Sequence, residues 1–439
     1  MIPLVSAAVR RDCDAREVAR RGERALIEAA GMRVGLEARQ MLGSLYARRI
    51  AVVVGPGNNG EDGRVAARVL SSRGSHVDVI DVSNQPDHLR GYDLVIDAAF
   101  GLGCSRPYVA PSVSRHTLVL AVDLPSGVDA DSGKLLGRPL RADVTLALGA
   151  LKFAHVDGES APLAGELRFA DLGIETPMDN ALIVDADVDT YVVAGRDDHK
   201  WTHALTVLAG SARMPGAAVL VCEGALSAGA SMVRLESRGK DQVASLVHVP
   251  VEVVRAQGPV VDARSRCVVA GPGLGTTSGP WLTKRLNETS IATVLDADAL
   301  TSELVSLARH APRVLTPHAG EFQRLTGTKV GAERIDAVRD LARASGCVVL
   351  LKGPTTIVAD PSGKLRVVTV GTAALATAGT GDVLAGMIGA AIARGHDPLD
   401  AAALSAFVHA TAGARLTPYQ TSSALAAAVR DVLGSRLRH

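Results

Sequence analysis

Short apolar runs that stop abruptly at glycine recur along this chain, and they leave few folds open. IAVVV (50–54) runs into GPGNNGEDG, CVVAG (267–271) into GPGLG, and VVLLKG (348–353) into a pair of threonines. A run without polar alternation is a strand covered on both faces, the habit of parallel sheets flanked by helices. Further runs predict strands at 76–80, 93–98, 118–124 and 143–149, and again at 205–210, 231–236, 292–298 and 313–316. Helix-length or loop segments separate them, so both series read as α/β. Residues 12–47 read as one covering helix, with Val18, Leu26, Ile27, Ala30 and Val34 near helical spacing. A helical stretch from Arg64 to Arg73 follows the first glycine loop, and alanine-rich helices are expected from 380 onward.

At 439 residues the chain exceeds one hydrophobic core, and the two series predict two domains. The acidic, irregular stretch 175–200 holds one short apolar strand and no other periodic element, which places the junction there and gives domains 1–190 and 195–439. The halves share a fold class but no motif, so no repeat is expected. With 47% apolar residues, 21% charged residues and a net charge of +1, the chain lies outside the disordered class and has no charge bias toward nucleic acid or membrane. An aromatic content of 3% argues against base-stacking platforms. Five cysteines without CxxC spacing point away from disulfides and zinc and toward a reducing cytoplasm. The first residues carry charge in the wrong order for a secretory signal, and no apolar run reaches the roughly 20 residues of a membrane helix. A small-molecule partner is the expectation.

The strongest chemical signal is TAGTGDVLAGMIGAAIARG (377–395), where glycines precede an expected amphipathic helix with Asp382 in its first turn. Gly379 and Gly381 are free to take positive φ and admit a phosphate, and a helix N-terminus favours the anion. A carboxylate beside phosphate is unfavourable unless it serves as a base; an ordinary first-turn aspartate explains the same letters. KGPTT (352–356) supplies a lysine and two hydroxyls suited to a polyphosphate, and LTPHAGEFQRL (315–325) adds a histidine and a glutamate. Taken singly, GPGLG is explained by a turn, Lys352 by solvation and His318 by a loop hydrogen bond. Ligands of parallel sheets bind beyond the carboxyl ends of the strands, so four such loops point to one crevice.

In that order, GSARMPGAA, GPGLG, DADAL, LTPHAGEF, LKGPTT and ATAGTGDVLAGMI, spread over about 205–435, resemble the ADP- or ATP-dependent NAD(P)H-hydrate dehydratases, which are ribokinase-like. The resemblance implies removal of water from (6S)-NAD(P)HX at the expense of ADP or ATP with Mg2+, ADP being usual in bacterial two-domain members. It implies nucleotide contacts at Lys352, Gly353, Pro354, Thr355, Thr356 and Gly381. It also implies substrate contacts at Ala217, Gly273, His318 and Asp382, with Asp382 the catalytic base. Met214 stands where the family often has tyrosine.

In the first half, GPGNNGEDG (55–63), DAAFGLGCSRP (97–107) and AVDLPSGVDADSG (121–133) put amides, carboxylates and glycines at three strand ends, although turns explain each loop taken alone. NNGEDG, DAAFGLG and DLPSGVD, within about 10–175, resemble the NAD(P)H-hydrate epimerases, a Rossmann-like parallel-sheet domain. The resemblance implies contacts with NAD(P)HX at Asn58, Asn59, Gly60, Glu61 and Asp62, at Gly101, Leu102, Gly103, Cys104, Ser105, Arg106 and Pro107, and at Asp123. It implies a potassium ion on Asn59, Asp97 and Ser126, oxygen donors that suit a hard cation. Glu61 stands where the pattern has glycine. Lys152 follows a strand and is a candidate to join Asp123 in proton transfer, or else an exposed lysine.

Both resemblances in one chain imply repair of both hydrates: an epimerase interconverts R and S forms of NADHX and NADPHX, and the dehydratase consumes S. A homo-oligomer is expected. Two other readings stay open, a small-alcohol or vitamin kinase of the same fold, and a first half that only binds a ligand.

Overall fold

A computed structural model describes residues 1–191, 198–237, 249–256, 261–287, 289–307, 311–417 and 420–436. The chain forms two compact units, Ile2–Asn180 and Ala181–His439. The expected junction, 191–194, falls almost wholly outside the described residues.

In the first unit, six strands form one sheet: β1 (Arg49–Val54), β2 (His76–Asp81), β3 (Leu94–Ala98), β4 (Leu118–Val122), β5 (Val144–Leu148) and β6 (Glu166–Ala170). Their order is β6-β5-β4-β3-β1-β2, and all neighbours run parallel. The central strands are buried along nearly their whole length, which is why their sequences show no alternation. The strand expected at 118–124 stops at Val122, because Asp123 turns the chain with φ 67.

The single helix expected at 12–47 is two, α1 (Ala7–Arg21) and α2 (Glu23–Leu42), parted at Gly22, whose φ of 84 no continuous helix can hold. Helix α3 (Asn58–Ser71) begins six residues earlier than the Arg64 expected. Its glycines were read as a loop, yet they serve close packing inside a helix: a Cβ on Gly60 would lie 2.1 Å from the Gly55 carbonyl oxygen, and one on Gly63 2.6 Å from the Ala98 Cβ.

The second unit holds β7 (Ala204–Leu208), β8 (Met232–Glu236), β9 (Val254–Arg255), β10 (Cys267–Ala270), β11 (Ala292–Leu295), β12 (Arg313–Leu315), β13 (Val348–Leu351), β14 (Thr356–Ala359) and β15 (Leu365–Val368). Their order is β15-β14-β13-β12-β11-β10-β7-β8-β9. Strands through β13 are parallel, whereas β14 and β15 are antiparallel additions that the sequence reading did not contain. Helices α4 (Pro215–Ser227), α5 (Ala319–Thr326), α6 (Arg334–Ser345), α7 (Thr380–Ala393), α8 (Pro398–Ala414) and α9 (Ser422–Arg436) pack around them. Helix α7 lies on β7, β10 and β11 and is buried on every side, not amphipathic as expected. Its two residues that are not buried are Gly381 and Asp382. Glycine lets α7 and α4 approach closely, since a Cβ on Gly386 would lie 2.1 Å from the Val221 carbonyl oxygen.

Candidate active sites

Strands β5, β4, β3 and β1 are consecutive neighbours, so their carboxyl ends lie side by side. A cleft of about 400 Å³ opens there, lined by Asn58, Asn59 and Asp62 of α3, by Gly101, Leu102 and Gly103 after β3, and by Asp123 after β4. Helix α1 adds Arg10, Arg11 and Asp14, which the sequence reading missed because a charged helix face carries no mark of a ligand. Gly60 packs beneath the α3 entry, while Glu61 faces outward and pairs with Arg64 at 3.0 Å, so its side chain leaves the cleft free. Cys104, Ser105, Arg106 and Pro107 continue the loop and are not among the lining residues.

Asp123 and Lys152 form the centre of this site. Lys152 is fully buried, not exposed; its Nζ donates to Asp123 Oδ1 and to the Ala150 carbonyl oxygen at 2.9 Å. Burial pushes the Asp123 carboxyl up, but Lys152, His155 and the Leu148 N–H outweigh it and hold the group below its usual range. Burial pulls the Lys152 ammonium down, and Asp123 offsets this only in part. Asp62 faces the opposite situation. Buried without a cation partner and near the charges of Asp123, Asp14 and Glu61, it is pushed up to about 8 and keeps its proton at neutral pH. One cleft therefore offers a protonated and an ionised carboxyl group.

Beside the cleft, Asp97 accepts from the Ser126 hydroxyl and from its N–H at 2.9 Å, while Ser126 Oγ accepts from Phe100 N–H at 2.8 Å. Asp97 is 1% exposed, and burial raises its pKa. The Asn59 amide reaches the same region against Gly101, and its Nδ2 is buried with no hydrogen-bond partner. The buried Asp97 carboxylate, the Ser126 hydroxyl and the Asn59 side-chain oxygen are the hard oxygen donors that a monovalent cation takes, so the residues fit potassium; the orphaned Asn59 N–H2 is a donor that a cation would not satisfy.

In the second unit the loops after β7, β10, β11, β12 and β13 meet. Gly273, at φ 65, would put a Cβ 2.7 Å from that of Ala217, and Gly210 N–H donates to the Pro272 carbonyl at 2.8 Å. Gly275 N–H donates to Asp298 Oδ2 at 2.8 Å, tying GPGLG to DADAL. Asp296, 2% exposed, accepts from Thr316 Oγ1 and from Lys352 Nζ, each at 2.8 Å. Burial lowers the Lys352 ammonium pKa, but Asp296, Glu321 and Asp382 outweigh it and hold the group above its usual value. His318 caps α5, its Nδ1 accepting from Gly320 N–H at 3.0 Å, while Glu321 accepts from His318 N–H at 2.9 Å; its ring is largely exposed.

Asp382 completes the group. Burial, then the charges of Asp296, Glu321 and Asp298, push its carboxyl up to about 7, against the pull of Lys352. Asp296 and Asp298 had no role in the sequence reading, although DADAL carried them, and Glu321 was noted there only as one of the groups pointing to the crevice. Gly379 has φ 92, but Gly381 lies within the helix without positive φ. Room is what it provides: a Cβ there would meet Lys352 Nζ at 3.2 Å. A cavity of about 490 Å³ borders it, lined by Lys352, Gly353, Pro354, Thr356, Thr380, Gly381 and the buried His409; Thr355 is not among its lining residues.

Two α/β units, the first with a parallel sheet and the second with a mixed one, each with a carboxylate near the carboxyl ends of its parallel strands, define a two-site α/β enzyme whose second half is ribokinase-like. That fold is shared with a ribokinase-like superfamily protein from Enterococcus faecalis at 18% identity and a TM-score of 0.51, over 60% of this chain and 98% of that one. Residues 205–433 match the family described as NAD(P)H-hydrate dehydratase, and residues 23–91 and 81–154 match the YjeF-related protein N-terminus. The bifunctional NAD(P)H-hydrate repair enzyme of Mycobacterium leprae is 39% identical over 85% of this chain and 84% of its own. The enzyme of that name from Synechocystis is 32% identical over 94% and 88%. The ADP/ATP-dependent NAD(P)H-hydrate dehydratase of Bacillus subtilis, co-crystallised with ATP and Mg2+, superposes with a TM-score of 0.54 at 26% identity, over 59% of this chain and all of that one. The chain belongs to the family of bifunctional NAD(P)H-hydrate repair enzymes.

Proposed function

We propose that the first unit interconverts R- and S-NAD(P)HX around Asp123, and that the second dehydrates the S form at the expense of ADP or ATP around Asp382. The observation that carries this reading is the opposite electrostatics of two carboxylates at two sets of strand ends: one is paired with a buried lysine, the other stands among acids at a helix N-terminus.

In the epimerase half, Asp123 accepts a proton, Lys152 keeps it ionised, and Asp62 is the proton donor across the cleft. Asn58, Gly101, Leu102 and Gly103 hold the dinucleotide. Asn59, Asp97 and Ser126 hold potassium, which supplies positive charge beside the substrate when bound. In the dehydratase half, Asp382 takes the proton of the hydrate's hydroxyl and the oxygen attacks the terminal phosphorus, releasing the shortened nucleotide. Loss of the phosphate ester as inorganic phosphate, with a neighbouring ring proton, restores the double bond. Lys352, Gly353, Pro354, Thr356 and Gly381 hold the nucleotide, whose Mg2+ brings charge to an acidic site, and Ala217, Gly273 and His318 face the hydrate. We assign the epimerase to 1–190 and the dehydratase to 195–439, ADP as the preferred nucleotide, a homo-oligomer and the cytoplasm. Among the described residues no helix is long and apolar enough to cross a membrane.

Product analysis tests the reading. Incubation with mixed hydrates and ADP or ATP should yield NADH absorbance and inorganic phosphate in equal amounts. A phosphorylated acceptor that persists, with no NADH, would make the second unit a kinase instead.

A further inference from the structure

His155 hydrogen-bonds the main chains of both members of the Asp123–Lys152 pair. The short helical turn Phe153–His155 folds its ring beneath them, where it is 4% exposed. Its Nδ1 accepts from the Lys152 N–H at 3.0 Å, and its Nε2 lies 2.6 Å from the Asp123 carbonyl oxygen. A carbonyl only accepts and an N–H only donates, so the ring is the neutral tautomer with hydrogen on Nε2. Both ring nitrogens are committed, and the ring does not line the cleft. Burial and the Lys152 charge pull its pKa to about 4, which keeps the ring neutral at neutral pH, while the two hydrogen bonds set the tautomer.

The Asp123 main chain sits at φ 67, in the left-handed region, which aspartate adopts more readily than most residues but still as a minor conformation, so contacts on all sides decide whether it is held there. Its N–H donates to the Leu146 carbonyl at 2.9 Å, and its Oδ1 accepts from Leu148 N–H at 3.1 Å and from Lys152. These contacts fix the amide and the carboxylate, and His155 fixes the remaining end, the carbonyl. The same ring sets the main chain from which Lys152 reaches back to Asp123.

We propose that His155 is a positioning residue of the epimerase, which locks Asp123 in its left-handed conformation and aims the carboxylate and the Lys152 ammonium together at the cleft. The inference rests on Asp123 being the catalytic carboxylate. His155 exchanges no proton with substrate. It acts through the alignment of two other groups, where a displacement of about 1 Å costs on the order of a hundredfold in rate.

The test compares His155→Phe, which keeps ring volume without hydrogen bonds, with His155→Gln, which retains a donor and an acceptor. Epimerisation kcat, KM and pH profile are measured, with dehydration of the S hydrate as the control for folding. His155→Phe should lower kcat by about tenfold to a hundredfold with little change in KM. It should also move the acid limb of the profile to higher pH. The groups facing Asp123 are Lys152 behind it, Asp62 on α3, and Asp14 and Arg10 on α1, and a misaligned Lys152 leaves burial and the two acids to raise the Asp123 pKa. His155→Gln should recover much of the rate. An unchanged kcat and profile in His155→Phe, or equal losses in both variants, would overturn the proposal. If His155→Phe loses both activities by misfolding, His155→Ala, which removes both hydrogen bonds without adding bulk, decides: a lowered kcat with the acid limb moved to higher pH supports the role, and a wild-type rate and profile refute it. Asp123→Asn is assayed in parallel, because full epimerisation by that variant would remove the underlying reading whatever His155 does.

Discussion

The two acids at the centre of the proposed sites, Asp123 and Asp382, sit in different local frames, a turn after a strand and the first turn of a helix, and in opposite electrostatic settings. Asp123 lies in a tight turn after β4, bound to a fully buried lysine, and is held below the usual carboxylate range. Asp382 lies in the first turn of α7, near Asp296, Asp298 and Glu321, and is pushed up to about 7. Lys352, whose charge acts on it, is already engaged by Asp296 at 2.8 Å. The difference teaches that the first site carries its own countercharge, whereas the second is an acidic cluster; on the proposed reading the metal that accompanies the nucleotide would supply the countercharge there. That contrast suits a reaction that needs no second substrate beside one that consumes a nucleotide.

The comparison breaks most readily at Lys352. If this ammonium bridges the acidic cluster and the nucleotide, Lys352→Ala should raise the nucleotide KM by about tenfold to a hundredfold, the size of a charge-assisted hydrogen bond of roughly 1.5–3 kcal/mol. Epimerisation should stay as it was. An unchanged nucleotide KM would leave Asp382 without its partner.

Acidity separates the sites next. A base with a pKa of about 7 is protonated below it, so dehydration kcat/KM should fall by about tenfold per pH unit on the acid side of 7. Asp123 is lowered, so epimerisation should persist to lower pH and decline instead above about 8, where Asp62 loses the proton it donates. Parallel acid limbs in the two profiles would erase the contrast.

The smallest expected effect concerns the cation. Epimerisation should decline several-fold when potassium is replaced by a large organic cation or when Asp97→Ala removes the buried carboxylate, while the nucleotide site responds to neither. Equal rates in both salts would detach Asn59, Asp97 and Ser126 from a metal role.

Much of this was legible in the sequence because strand ends announce themselves. Continuous apolar runs ending in glycine marked β1, β10 and β13, and further apolar runs marked β3 and β4; Asn59 and Lys352 come just after β1 and β13, Asp97 near the end of β3 and Asp123 directly after β4. What was not legible came from elements whose letters serve two purposes. The glycines of NNGEDG read as a loop, yet they let α3 pack against Gly55 and Ala98. Asp14 looked like the solvated face of a covering helix and Arg10 lay before that helix's expected start, yet both line the cleft. His155 lay within LKFAH without a spacing rule to single it out, since its partners are the main chains of residues brought together only by the fold. The antiparallel β14 and β15 were hidden by the polar turns around them.

The most direct test of two independent sites follows NADH absorbance while mixed R and S hydrates are incubated with nucleotide. Wild-type protein should consume both epimers. Asp123→Asn should convert only the S fraction and then stop. Asp382→Asn should lower NADH formation by roughly 10² to 10⁴, the loss expected for a missing general base, yet still interconvert R and S. Consumption of both epimers by Asp123→Asn at the wild-type rate, or loss of epimerisation in folded Asp382→Asn, would contradict the account.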